Sequence, residues 1–95
     1  MYHDFEYYKI TENKAGKVKT VWVYSNLFVC DMLKRIYTGA EPVYTKNRSL
    51  VLMEFMIMKE GKIESIVQIK KLYPDEVKRA EDEKEVKNWK RVYKI

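Results

Sequence analysis

The chain opens with alternating side chains. Residues 4–11 (DFEYYKIT) and 18–24 (VKTVWVY) are rich in aromatic and β-branched types, and the turn-forming stretch ENKAGK, with Gly16, lies between them. That pattern predicts a β-hairpin. The period then changes. On a helical wheel of residues 27–38, Asp31, Lys34, Arg35 and Thr38 share one narrow face. Phe28, Val29, Cys30, Met32, Leu33, Ile36 and Tyr37 cover the rest, and Leu27 strays. So broad an apolar arc predicts a helix packed deeply across a sheet. Ser25 or Asn26 supplies its N-cap, Lys34 and Arg35 suit its C-terminal dipole, and Gly39 is placed to end it in a left-handed conformation.

Residues 40–47 (AEPVYTKN) read as a loop around Pro42, and RSLVLMEFMIMKEGKIESIVQIKKLY reads as a second hairpin. The KEG stretch predicts a three-residue loop with Gly61 in a left-handed bulge position. That register sets Ile57 opposite Ile63, Phe55 opposite Ser65, Met53 opposite Val67 and Val51 opposite Ile69, all facing inward. The other side then carries Leu50, Leu52, Glu54, Met56 and Met58 against Lys62, Glu64, Ile66, Gln68 and Lys70. A two-residue loop would shift the pairing by one and carry Glu54 to the core side, because strand side chains alternate with a period of two.

Tyr73-Pro74 opens a second helix, with proline in its first turn. Asp75 and Glu76 lie early in it, and Lys87, Lys90, Arg91 and Lys94 late, as the dipole prefers. Asp75–Arg79 and Glu83–Lys87 are spaced for i,i+4 pairs. Val86, Trp89, Val92 and Tyr93 recur at helical spacing and carry the helix to about Lys90. WKRVYKI also alternates, so a C-terminal strand within residues 89–95 is the competing reading. The predicted order is ββαββα. It describes a single α+β domain over residues 1–95, a mainly antiparallel sheet of at least four strands with helices packed on one face.

Composition narrows the classes. Apolar residues make up 46% and aromatics 14%, which is globular rather than disordered. A single cysteine, Cys30, can form neither an internal disulfide nor a zinc site, and this fits a reducing, intracellular compartment. The N-terminal MYHDFEYYKI lacks the basic start and apolar core of a secretion signal, so the sequon Asn47-Arg48-Ser49 is read as coincidental. The stretch from Leu50 to Met58 is interrupted by Glu54 and too short to span a bilayer, so no membrane role is expected. Lys and Glu dominate the charges, and Gln68 is the one glutamine. In its richness in Lys, Glu, Ile and Tyr the chain resembles the small orphan proteins of hyperthermophilic archaeal viruses. The resemblance spans the whole composition and rests on no motif. It implies a thermophilic viral accessory protein in the host-cell cytoplasm and assigns no residue roles.

Candidate chemistry is sparse. Cys30 lies one turn into a helix, but His3 is the one histidine base and nothing fixes it nearby. Glu54 interrupts an apolar run and shares a predicted face with Glu64, an arrangement that can raise a carboxyl pKa for acid–base work. Its structural reading is a carboxylate near solvent that balances Lys70 or another cation. Gly16-Lys17 lacks the remainder of a phosphate loop, and no metal-ligand spacing occurs. The expectation is a non-enzymatic protein without metal, cofactor or small-molecule ligand; an enzyme using Glu54 is the remote alternative. Two surfaces remain. Leu52, Met56, Met58 and Ile66 form an apolar strip suited to a partner, either a second copy in a homodimer or a host or cellular protein. The net charge of +5 permits binding to nucleic acid or to an acidic protein. Lys14, Lys17 and Lys19 ring the first turn, and Lys70 and Lys71 end the fourth strand. The alternative nucleic-acid site is Lys87, Trp89, Lys90, Arg91 and Lys94, where cations interleave with aromatics.

Overall fold

The computed structural model describes residues 2–49 and 51–94, with the side chains of Tyr2, His3 and Arg48 left aside. The predictions for the His3 side chain and for Leu50 therefore lie outside the described residues. The elements are β1 (Tyr2–Lys14), β2 (Lys17–Leu27), α1 (Val29–Ile36), β3 (Glu41–Ser49), β4 (Leu52–Lys59), β5 (Lys62–Leu72), α2 (Pro74–Asp82) and β6 (Lys90–Val92). The six strands form one sheet in the order β3-β4-β5-β1-β2-β6. Every neighbouring pair is antiparallel except β2–β6, which is parallel.

The α+β class and the two hairpins match the sequence reading; the order ββαββα does not. Residues 40–47 are not a loop. They pair with β4 as edge strand β3, whose register slips at Tyr44/Lys46 and again at Asn47/Ser49. Bulges and a lysine blunt such an edge against unwanted pairing. The second helix ends at Asp82 rather than near Lys90. Lys84 takes φ 58°, the Lys84 N–H donates to the Glu81 carbonyl, and the Glu85 N–H donates to the Ala80 carbonyl. These bonds make a Schellman stop whose left-handed position holds lysine where glycine is usual. The segment beyond is then free to return as β6, so the competing strand reading of residues 89–95 is the one observed.

Both hairpin turns are two-residue loops with positive φ at each position: Ala15 and Gly16 in the first, Glu60 and Gly61 in the second. That geometry matches the right-handed twist of the flanking strands. In the second hairpin the register then slips between Ile57 and Met58, leaving Glu64 as the extra residue of a bulge. Phe55 therefore faces Val67, Ile57 faces Ser65, and Met53 faces Ile69. The predicted pairing was two residues out, so the facing sides were preserved. The bulge absorbs the shift that would have carried Glu54 to the core side, and it turns Ile63 outward.

One face of the sheet carries the main core: Ile10, Val23, Phe55, Ile57, Val67 and Ile69, closed over by Met32 and Leu33 of α1. The helix arc is narrower than predicted. Phe28 is the N-cap residue and 43% exposed, and Cys30 is exposed. Ser25 and Asn26 are not caps. They lie at the end of β2, where the Ser25 hydroxyl accepts the Leu27 N–H at 3.0 Å. The helices do not share a face. Leu72 sits opposite Tyr7, on the side away from α1, and is buried together with Val77 and Ala80 of α2. Lys70 on that side pairs with Glu76 of α2 at 2.7 Å, which holds the Glu76 carboxyl below its usual range. The sheet thus has an α1 face and an α2 face, and α2 covers one end of its own.

Candidate functional site

On the α2 face, strand alternation and the observed register lay side chains out in rows. One row crosses five strands: Val43, Met56, Ile66, Asn13 and Val18. Met58 and Ile63 lie opposite each other beside it. Val18 is 64% exposed, Ile63 59%, Ile66 42% and Val43 37%. Leu52, Met56 and Met58 are half-buried. The predicted strip therefore lies together on one face, with Ile66 as its most open predicted member. Three of its most exposed positions were not predicted. Val43 was hidden in a presumed loop, Val18 belongs to the other hairpin, and Ile63 was assigned inward. Alternation in VKTVWVY was the available signal for Val18; for Ile63 nothing local announces the bulge.

The neighbouring row on this face holds Glu54, Gln68, Thr11 and Thr20. Glu54 is buried. Its carboxylate accepts the Thr45 hydroxyl and the Gln68 amide, each at 3.3 Å. The Thr45 hydroxyl also donates to the Glu54 carbonyl at 2.9 Å. Lys70, one of the expected partners, pairs with Glu76, and the expected place near solvent is corrected by the burial of Glu54. Glu64, the other half of the suggested carboxylate pair, bonds Lys14, and this ammonium holds the Glu64 carboxyl below its usual range. A carboxylate kept ionised in this way is poorly suited to donate a proton. The two rows enclose a shallow saddle of about 640 Å³. Among the described residues, no three His, Cys, Asp or Glu side chains converge to hold a metal ion.

The other end of the α2 face is built differently. Tyr7, Trp22 and Tyr24 stand on β1 and β2, and Trp89 leans against Tyr7 at 4.7 Å and Trp22 at 5.8 Å between ring centres. Phe5 stacks on Tyr24 at 4.8 Å and meets Tyr93 edge-on at 5.6 Å. The Lys9 ammonium lies 5.1 Å from the centre of the Trp22 ring. The segment after α2 is stitched down. Trp89 Nε1 donates to Glu81 at 3.0 Å, and the Asn26 amide exchanges two bonds with the Lys94 backbone at 2.7 and 2.9 Å. Arg35 donates to the Tyr93 carbonyl at 3.3 Å.

This return path splits the predicted nucleic-acid residues. Trp89 and Arg91 border a small cleft with Tyr7 and Tyr24. Lys87 and Lys90 turn instead to a cavity of about 860 Å³ on the α1 face, which Lys14, Lys19 and Lys59 also line. Lys94 is tied through its backbone to Asn26, away from both. Tyr37 stands in the wall of that cavity. Its hydroxyl is buried with no hydrogen-bond partner among the described residues, and burial chiefly, with the Glu12 charge second, pushes its pKa up. Among the described residues no helix is long and apolar enough to cross a membrane. Comparison with known proteins finds no matching family model, no similar curated protein and no similar solved structure, so the site must be judged on its own geometry.

Proposed function

We propose that this protein is a non-enzymatic interaction protein that pairs with a second copy of itself through the open strip of the α2 face. The observation that carries this reading is the row Val43–Met56–Ile66–Val18 with Ile63 beside it, exposed and free of charge in a chain whose residues are 35% charged. Contiguous exposed apolar patches rimmed by polar residues mark contact surfaces when they exceed the few hundred Å² usual on a monomer. Its border is polar: Thr11, Thr20 and Gln68, with the buried Glu54 carboxylate held by Thr45 and Gln68, and Glu64 paired with Lys14 at one corner. An apolar centre with a polar rim is the usual anatomy of an interface. The occupant follows from charge. Two copies of a chain carrying +5 repel each other over most of their surface, and a neutral strip is where like can meet like. A two-fold axis through the strip would set the same side chains against each other. Met56 and Met58 can adjust to that fit.

The test is mass in solution. Sedimentation at micromolar concentration should give twice the 11.5 kDa of the chain, and Ile66→Lys together with Ile63→Lys should restore the single-chain mass. A wild-type protein that stays at 11.5 kDa at tens of micromolar removes self-association from the reading.

A further inference from the structure

The cavity on the α1 face lies on the other side of the sheet from the neutral strip and does not depend on the proposed dimer. Five lysines reach it from three separate parts of the chain: Lys14 and Lys19 from the first hairpin, Lys59 from the second, Lys87 and Lys90 from the segment entering β6. Lys14 is neutralised by Glu64, and Lys59 acts on the same carboxylate from farther off. Among the described residues, Lys19, Lys87 and Lys90 have no carboxylate within ion-pair distance. With Glu64 taken up by Lys14, the lysines of the lining outnumber its other carboxylates, Glu12 and Glu85, and the remaining positive balance favours an anion.

The lining also has an apolar part: Val21, Ile36 and the fully buried Ile57. Glu12 and Glu85 stand among the lysines. An acidic peptide would bring its carboxylates up against Glu12 and Glu85. A nucleotide offers an anionic phosphate for the lysines, a flat apolar base for the apolar part, and base N–H donors that carboxylates accept. A duplex hides its bases from that part, so the fit is to a single strand. We infer that this cavity binds single-stranded nucleic acid, with phosphates on Lys19, Lys87 and Lys90 and a base against Val21 and Ile36.

The experiment is fluorescence anisotropy with a labelled mixed-sequence strand of about a dozen nucleotides, as DNA and as RNA, beside the same DNA as duplex. Three phosphate contacts on a single strand give a log–log salt slope near −2, so affinity should fall about twentyfold between about 50 and about 200 mM salt. Lys19→Ala with Lys90→Ala should flatten the slope to roughly −0.7. The control Lys46→Ala with Lys78→Ala removes equal charge from β3 and α2 and should leave the slope unchanged. Urea midpoints of both variants establish that they remain folded. Binding of either single strand with this pattern supports the inference. It is overturned if no strand binds at the low salt, if the control pair flattens the slope equally, if the duplex binds as tightly, or if polyglutamate competes as well as the unlabelled strand.

Discussion

The two ends of the α2 face start from the same material and finish differently. Both are built on β1, β2 and β5, and both present large side chains outward by simple alternation. At one end Tyr7, Trp22 and Tyr24 are half-buried because Trp89 and the chain around it fold back over them. At the other end Val18, Ile63 and Ile66 stay open. The difference lies in where the chain goes after α2. Lys84 stops the helix, Glu81 fixes the Trp89 indole, and Asn26 clasps the Lys94 backbone. Among the described residues this cover lies over the aromatic end. An exposed apolar row is therefore what a small two-faced sheet leaves over, unless another molecule closes it.

Removing the cover's anchor should have the largest effect. Trp89→Ala takes away the ring that touches both Tyr7 and Trp22 and should cost about 3 kcal/mol in urea unfolding, the range for deleting a large aromatic from a packed site. Asn26→Ala should cost about 2 kcal/mol, because it leaves the Lys94 N–H and carbonyl without their partner beside a buried position. If both changes are near neutral, the aromatic end is a surface decoration and the contrast between the two ends disappears.

Legibility followed the same divide between local and non-local causes. The α1 arc was readable because Val29, Met32, Leu33 and Ile36 recur at helical spacing. The inward side of β4 was readable because Met53, Phe55 and Ile57 share a parity that a two-residue slip in pairing leaves intact. Met56, Met58, Leu52 and Ile66 followed as the opposite parity. What escaped were left-handed positions filled by residues that do not advertise them. Ala15 and Glu60 occupy the first place of tight hairpin turns where asparagine or aspartate is usual, and Lys84 occupies a helix stop where glycine is usual. Each missed stop had a distant result. The two-residue turn and its bulge turned Ile63 outward, and the end of α2 created β6. The strip's full width depended on β3 pairing with β4, and the lysine-lined cavity on three distant segments meeting; alternation within one segment reports neither.

Lys84→Gly tests the helix stop directly and should have a smaller effect of opposite sign. Relief of a left-handed lysine is partly offset by the added freedom of glycine in the unfolded chain. The net expectation is a gain of about 1 kcal/mol in unfolding free energy, read as a higher urea midpoint. A loss would mean that the Lys84 side chain contributes more to holding the cover than its backbone strain costs.

The smallest expected change in the monomer is the most informative about the open end. Ile66 is 42% exposed and faces Asn13 and Met56 across the sheet. A lysine there can lay its methylenes along Met56 and keep its ammonium in water. At concentrations below the proposed dimerisation, Ile66→Lys should shift unfolding by no more than about 0.5 kcal/mol, as surface substitutions do. At concentrations where the wild type pairs, the wild-type midpoint should rise with protein concentration by mass action while that of the variant stays flat. A large loss already visible in the monomer would mean that Ile66 is part of a covered core. The two ends of the α2 face would then be one continuous interior, with no neutral strip left for a second copy to meet.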